Sequence, residues 1–423
     1  MILLNSKKER IKIEEHPFAK GGEGAIYRIL QSPYKDCCVK YFHPGKLDSR
    51  IDKLDYMVKH QLVAPTNSQY RICWPLDFVY NYGACVGFVM PFSFVGSHSL
   101  YDIYLKDDNP IFDRRNKEGV ENRLKLLFNI ATAIDILHKE GYALIDFKPQ
   151  NILFTDSGQI SMIDLDSIQI SHKNKLLFPA TAFTIEYAFP LELNLIGKNK
   201  IISTRWDCYS FSVVAYQILL GIHPFTASTD KKDKSGSEIS GLADLMFNNM
   251  FPFGPRMNDI KVAPNIQYYF YCLPSKLQEI FIHSFNLNAT TPNMSSWLTV
   301  LIEVIQSKSV EENFFRITPK PPIFIVTEKN VIKEKSSDVL DIKWKSFYCE
   351  NITINNTDVS TLNSAKVNIP QNREIVISLY NRNIGYRTKI LRFCQESVFC
   401  IKCGSKFIDE SDVFCTNCGT KRI

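Results

Sequence analysis

Apolar positions along the chain follow three successive patterns. Up to about residue 92 they fall in short alternating or β-rich runs, which predict strands, broken by one charged stretch, Asp48 to Met57, that predicts a helix. Further on, Val120, Leu124, Leu127, Ala131, Ile134 and Leu137 recur at helical spacing, and Gly141 supplies a C-terminal stop. Asn151 to Phe154 and Ile160 to Ile163 read as two short strands around the turn Asp156-Ser157-Gly158. The run from Arg205 to Phe225 is apolar nearly all round, as a helix buried on every side must be. Beyond Ile317-Thr318-Pro319-Lys320-Pro321-Pro322, a stiff linker, the period is that of strands again: Leu340 to Lys345, Ile352 to Ile354, Ala365 to Ile369, Ile375 to Tyr380 and Thr388 to Leu391.

Length and composition narrow the class. A chain of 423 residues accommodates about two to four domains. Hydrophobic content of 45% and charged content of 22% are those of a soluble globular protein. The net charge of +6 is spread along the chain and does not mark a nucleic-acid binder. Met1-Ile2-Leu3-Leu4 precedes its charges, the wrong order for a secretory signal, and Phe211 to Ile222 is too short for a bilayer and holds Ser212 and Gln217. A cytoplasmic protein without a membrane anchor is expected. Its 12 cysteines agree: seven are scattered and five crowd into the last thirty residues, a metal pattern and not a disulfide framework.

Chemistry concentrates in Ile145-Asp146-Phe147-Lys148-Pro149-Gln150-Asn151 and Met162-Ile163-Asp164. A carboxylate that orients a hydroxyl, a cation two residues on, and an Asn and a second Asp as hard oxygen ligands are the parts that phosphoryl transfer requires. The hairpin between them brings Asn151 and Asp164 together. These residues resemble the catalytic loop and metal-binding Asp of the eukaryotic-like Ser/Thr protein kinases, and Lys148 resembles the Ser/Thr type and not the tyrosine type. Other segments join the resemblance. Ala19-Lys20-Gly21-Gly22-Glu23-Gly24-Ala25-Ile26 resembles the Gly-rich loop, with Ala19 at its first glycine. By itself such a turn reads equally as a plain hairpin. Cys37-Cys38-Val39-Lys40 resembles the strand whose lysine holds the α- and β-phosphates, with Cys38 above the adenine. Gly87-Phe88-Val89-Met90-Pro91-Phe92 resembles the strand entering the hinge, with Met90 as gatekeeper. Thr184 to Glu192 resembles the end of an activation segment, and Arg205 to Phe225 the central helix of the large lobe, where Asp207 would hold catalytic-loop amides.

The resemblance covers about residues 10–306 and is closest to bacterial kinase-like proteins with a GGEG loop. It implies ATP with Mg²⁺ or Mn²⁺, protein Ser/Thr substrates, Asp146 as base, Lys148 beside the moving phosphoryl, and Asn151 and Asp164 as metal ligands. Gly21, Gly22, Gly24, Ile26, Cys38, Lys40, Met90 and Phe92 would meet the nucleotide. Several positions depart from the family pattern. The helix expected to give Lys40 an acidic partner offers only Asp52 and Asp55. Ile145 stands where phosphorylation-controlled kinases carry Arg, so no cation there awaits a phosphothreonine. Leu165-Asp166 replaces Phe-Gly, and Asp166 would limit flipping of that loop. Thr291 stands where the family carries the Arg that pairs Glu192. The alternative reading is a pseudokinase scaffold that binds nucleotide and signals through its C-terminal modules.

Those modules are a small Ig-like sandwich over 319–392, without a motif of chemistry, and a tail with two C-x-x-C-G knuckles, Cys400/Cys403 and Cys415/Cys418. Four thiolates at this spacing predict a closed tetrahedral zinc site whose metal supplies the folding energy, with Cys394 a bystander. The sandwich reads as a spacer or docking module and the tail as a protein-docking one; nucleic acid is not favoured. The expected architecture is α+β: a bilobal kinase-like fold with its N-lobe at 1–92 and C-lobe at 93–310, the Ig-like domain, and a zinc ribbon at 394–423.

Overall fold

A computed structural model describes residues 1–310 apart from 64 and 106–108, and residues 323–392 apart from 335–336, 348, 373 and 382–384. The linker and the cysteines at 394, 400, 403, 415 and 418 lie outside the described residues. The chain divides into two compact units, Met1–Thr318 and Pro319–Ile423. Among the described residues no helix is long and apolar enough to cross a membrane.

The first unit opens with β1 (Ile2–Asn5), β2 (Arg10–Ile13), β3 (Ala19–Lys20), β4 (Gly24–Gln31), β5 (Cys37–Phe42), helix α1 (Ile51–Lys59), β6 (Tyr70–Ile72), β7 (Asp77–Asn81) and β8 (Ala84–Pro91). Seven of these strands form one antiparallel sheet in the order β2-β1-β7-β8-β5-β4-β3, and a β2–β4 pairing curls it toward closure. Alternation explains the curl. Leu3, Ile11, Ile13, Val39, Val79 and Val89 make a core on one face, and Cys38, Phe42, Phe88 and Met90 face the main core on the other. Gly87 on β8 is obligatory for close approach, because a Cβ there would stand 1.9 Å from the Lys40 carbonyl.

Then follow β9 (His98–Ser99), α2 (Leu100–Leu105), α3 (Lys117–Lys139), β10 (Tyr142–Ala143), β11 (Ile152–Phe154), β12 (Ile160–Met162), β13 (Gln169–His172), β14 (Lys175–Phe178), α4 (Arg205–Leu220), α5 (Leu242–Phe247), α6 (Ser275–Ser284) and α7 (Met294–Ser307). Asn116 caps α3 by accepting from the Gly119 amide, and the helix ends at Glu140 before Gly141, which turns at φ +83°. Helix α4 is buried over all but its first residue, so its apolar circumference is satisfied from every side. Tyr216 of this helix packs edge to face against Phe251, Phe281 and Phe285 and stacks on Phe270, and Phe211 meets Trp297 edge to face. Each such ring stabilises by roughly 2–3 kcal/mol through burial, so the larger lobe is set by packing. The hairpin β11–β12 pairs with β6 in parallel and with β9 in antiparallel fashion, and the four strands form a separate small sheet in the order β6-β12-β11-β9.

The second unit holds two antiparallel sheets. One is β15 (Ile323–Glu334), β16 (Ser337–Phe347) and β19 (Ser364–Asn368); the other is β18 (Thr357–Asp358), β17 (Asn351–Ile354), β20 (Glu374–Asn381) and β21 (Gly385–Arg392). Strict alternation in β17 and β20 turns Ile352, Ile354, Ile375, Ile377 and Leu379 inward, onto one core with Phe324, Leu340, Ile342 and Trp344 of the other sheet.

Candidate active site

Between the curled sheet and the helical lobe lies a cavity of about 600 Å³. Gly21, Gly22, Gly24, Ile26, Cys38, Lys40, Met90, Phe92, Asn151 and Asp164 all line it. That volume suits a nucleotide-sized ligand. The turn at its roof is closed by the Gly21 amide donating to the Gly24 carbonyl at 2.9 Å. Among the described residues, no atom beyond the two adjoining residues lies within 4 Å of a Cβ placed at Gly22, whereas one at Gly24 would meet the Tyr41 carbonyl at 2.4 Å. Gly24 is thus required by packing. Packing does not require Gly22, and an open backbone at that point fits a roof that phosphates approach closely.

At the hinge the Phe92 amide is used by the Asp36 carbonyl at 2.8 Å, and the Phe92 carbonyl by Arg71 Nη1 at 2.6 Å. Pro91 has no N–H. Of Pro91 to Ser93, this leaves Ser93 with an amide that neither of these contacts uses. Arg28 lies over the rings of Phe18 and Phe92, at 5.2 and 4.9 Å from their centroids, at the same end of the cavity.

The catalytic-loop residues are held by the buried helix α4. Asp207, fully buried, accepts from the Leu144 and Ile145 amides at 2.7 and 2.8 Å and meets His138 Nε2 at 2.9 Å. Trp206 Nε1 donates to the Ile145 carbonyl at 2.7 Å. Held at both backbone groups, the β-branched Ile145 adopts φ +63°, a conformation it would not choose alone. The chain so turned presents a triangle. Lys148 Nζ lies 2.8 Å from Asp146 Oδ2 and donates to Thr184 Oγ1 at 3.0 Å; Thr184 Oγ1 donates to Asp146 Oδ1 at 2.6 Å. Asn151 Nδ2 donates to the Asp146 carbonyl at 2.9 Å, which leaves its Oδ1 toward the cavity wall it shares with Asp164. This oxygen-only pair suits a hard divalent ion such as Mg²⁺ or Mn²⁺.

Lys40 overturns the expectation of an acid on helix α1. It donates to Asp164 Oδ1 at 2.8 Å and to Asp166 Oδ1 at 2.6 Å. Asp55 instead pairs Lys59 one turn on, at 2.6 Å, and Asp52 is exposed. The helix phase is the reason. Leu54 and Met57 define the buried face, and Lys53 shares it while Asp52 and Asp55 flank it. The residues that face the cleft are cations: Arg50 Nη1 donates to Asp166 Oδ2 at 2.7 Å and to Glu23 Oε2 at 2.6 Å, with Nη2 on Glu23 Oε1. Lys53 donates to the Ile168 and Pro179 carbonyls at 2.8 and 3.0 Å. Burial brings its amine down to about 8, partly offset by Asp166. Burial by itself would raise the Asp166 carboxyl, but Lys40 and Arg50 outweigh it and hold the group below the usual range. Glu23, Asp164 and Asp166 bring carboxylate oxygens within 4.8 Å of one another. Both oxygens of Asp166 and both of Glu23 are already taken by cations, whereas Asp164 gives only Oδ1 to Lys40, so its Oδ2 is the oxygen of that trio open to a metal.

Glu192 accepts from the Ser203 amide and hydroxyl, at 2.7 and 2.5 Å, in place of an Arg, and Thr291 is buried. Sequence reasoning missed Glu23, Arg50 and Lys53. The signal was present: Lys53 sits four residues before Met57 on the helix's apolar stripe.

A two-lobed fold with a glycine-roofed cavity, a buried strand lysine and an Asp-Lys-Asn loop defines a phosphotransferase cleft. The family model for the protein kinase domain matches residues 21–310, more than half the chain, and the chain belongs to that family. Mouse serine/threonine-protein kinase 16 is 34% identical over 119 residues, 26% of this chain and 39% of that protein. A probable serine/threonine-protein kinase of Clostridium perfringens is 30% identical over 115 residues, 26% of this chain and 16% of that protein. Rat citron rho-interacting kinase is 31% identical over 125 residues, 29% of this chain and 6% of that protein. The chain thus spans well under half the length of each of these relatives.

Proposed function

We propose that this chain transfers the γ-phosphate of ATP to serine or threonine hydroxyls of proteins. The observation that carries the reading is the Asp146–Lys148–Thr184 triangle, with Asn151 tying it to the cavity that Lys40 and Asp164 line. Asp146 would orient the acceptor hydroxyl and take its proton; Lys148 would screen the phosphoryl oxygens as they move. Asn151 and Asp164 would hold Mg²⁺ or Mn²⁺, which supplies charge neutralisation at the phosphates when bound. Lys40 and the Gly21 to Gly24 turn would hold the phosphates, and Ile26, Cys38, Met90 and Phe92 would enclose the base. Most of the rate would come from position and charge. Thr184, placed against both Asp146 and Lys148, and Lys148 itself favour hydroxyls of the Ser/Thr class.

The test is label transfer from radiolabelled ATP with Mg²⁺ by the full chain, wild type against Asp164→Ala. Label on protein Ser or Thr in the wild type, abolished in the variant, is expected; equal label in both would remove the reading. A scaffold that binds nucleotide without transfer is the second reading. It is favoured by helix α1, which offers Lys40 no acid among the described residues. The oriented Asp146 weighs against it, since a scaffold has no use for a positioned base.

For the C-terminal part we propose an Ig-like docking domain, supported by two antiparallel sheets on one core, and a zinc ribbon on Cys400, Cys403, Cys415 and Cys418, supported by spacing. Protein partners are favoured over nucleic acid, and a cytoplasmic site is favoured by cysteine usage. Cys415→Ser should lose bound zinc while the kinase domain's thermal transition stays in place. Loss of that transition would contradict the modular reading.

A further inference from the structure

Four charged side chains link the roof of the cleft to its floor. Lys40, Asp166 and Arg50 are buried, at 6%, 2% and 8% exposure, while Glu23 is open to solvent on one side. Burying three charges is tolerable only if each is paired. The pairing is sequential. Asp166 Oδ1 takes Lys40, Asp166 Oδ2 takes Arg50, and Arg50 reaches on to both oxygens of Glu23 at the tip of the glycine turn. Lys40 also touches Asp164, the proposed metal ligand, at 2.8 Å. When Asp164 turns to a metal, Asp166 still holds Lys40.

We propose that Asp166 is the residue that positions Lys40 for the phosphates, and that Arg50 carries this link to Glu23, so that the strand lysine and the glycine roof are set as one unit. The inference rests on the kinase reading for its chemistry and names how that site is held. The sign of the charges on the helix is the reverse of what Lys40 would need from it: Arg50 and Lys53 face inward, so the acid must come from the loop after Asp164. Lys53, bonded to the Ile168 and Pro179 carbonyls, then fastens the helix to the segment that carries Asp166. The two links differ in exposure. The inner one, Lys40–Asp166–Arg50, is buried. The outer one, Arg50–Glu23, is half in water, with the Glu23 side chain 40% exposed. Of the two, the outer link is the one for which water competes more readily.

The test compares full-chain variants for ATP KM and kcat, and for the melting temperature of the nucleotide-free protein. Asp166→Asn should lower kcat/KM about 100-fold. Asp166→Glu, which keeps the charge, should recover part of it, and Asp52→Asn and Asp55→Asn should match wild type. Glu23→Gln should raise the ATP KM by no more than about fivefold with kcat nearly kept. In a double-mutant cycle Glu23→Gln and Arg50→Met should be non-additive in both KM and melting temperature. A loss in Asp52→Asn or Asp55→Asn equal to that of Asp166→Asn would overturn the proposal, as would additive effects of Glu23→Gln and Arg50→Met. The melting cycle needs no activity. A wild type that transfers no phosphate but shows the coupling sinks the kinase reading and upholds the link; an active wild type with additive melting effects does the reverse.

Discussion

Asp166 and Asp207 are both buried carboxylates, and they are satisfied in opposite ways. Asp207, in the first turn of the fully packed helix α4, is held by two backbone amides and His138. Asp166 is held by two long cationic side chains, Lys40 and Arg50, that come from the other lobe. Backbone donors cannot leave without unfolding the loop, whereas a lysine and an arginine can swing away and find water. The first arrangement makes a fixed platform; the second makes a joint. The kinase cleft lies between them, with the catalytic loop on the platform and the nucleotide-facing roof on the joint.

Removing the platform should have the largest effect. Asp207→Ala leaves the Leu144 and Ile145 amides buried without an acceptor, and should destabilise the first unit by about 3–5 kcal/mol in urea unfolding. A loss below about 1 kcal/mol would show that the catalytic loop does not depend on it. The lobe beneath should also be sensitive to acid through His223. Its Nδ1 accepts from the Phe225 amide and its Nε2 donates to the Glu186 carbonyl, so the neutral ring uses both nitrogens. Burial brings its pKa down to about 4, against a partial rise from the Glu186 carbonyl. Because the folded value lies below the unfolded one, the unfolded state binds the extra proton, and stability present above about pH 6.5 drains away as pH falls toward 4. The loss should approach about 3 kcal/mol. His223→Gln should flatten that slope; an unchanged slope would assign the acid sensitivity elsewhere.

This contrast also explains what the sequence made legible. Helix α3, the β11–β12 hairpin and the all-round apolar α4 follow from periodicity, because hydrophobic burial leaves a repeating mark. The cavity-lining set was legible through motif spacing, since Gly21, Lys40, Asn151 and Asp164 each sit in a local pattern tied to phosphate chemistry. The partner of Lys40 was not. A charged pair across 126 positions leaves no period, and the helix between offered two aspartates that face away from the cleft. Choosing between faces required the positions of Leu54 and Met57, which place Lys53 inside and Asp55 outside. The rebuilt seat of Glu192 on Ser203 was hidden because it lies in an irregular segment, where no periodicity marks which side chains meet.

Between the platform and the joint stands the strand β5 itself. Its place is set by Gly87 on the neighbouring strand, where a Cβ would meet the Lys40 carbonyl at 1.9 Å. Gly87→Ala should push β5 away and cost about 1–3 kcal/mol of stability. The nucleotide cleft should suffer with it, because Lys40 moves with its backbone. Nucleotide affinity measured beside the unfolding midpoint checks both. If affinity is kept while stability falls, the position of Lys40 is governed by its side-chain partners and not by strand packing, which would enlarge the role of the joint.

The smallest effect sharpens the comparison most, because it separates a joint from a platform by salt alone. Glu23 meets Arg50 with much of its carboxylate in water, so the pair is screened. Glu23→Gln should cost only about 0.2–1 kcal/mol of stability in dilute buffer, and the difference from wild type should vanish by about 1 M salt, where the screening length shrinks to about 3 Å. The Asp207→Ala deficit should persist in the same salt, since its donors are dry backbone amides. A Glu23→Gln effect that survives high salt would mean that the roof is packed shut and not latched by charge, and the distinction between the two aspartates would lose its mechanical meaning.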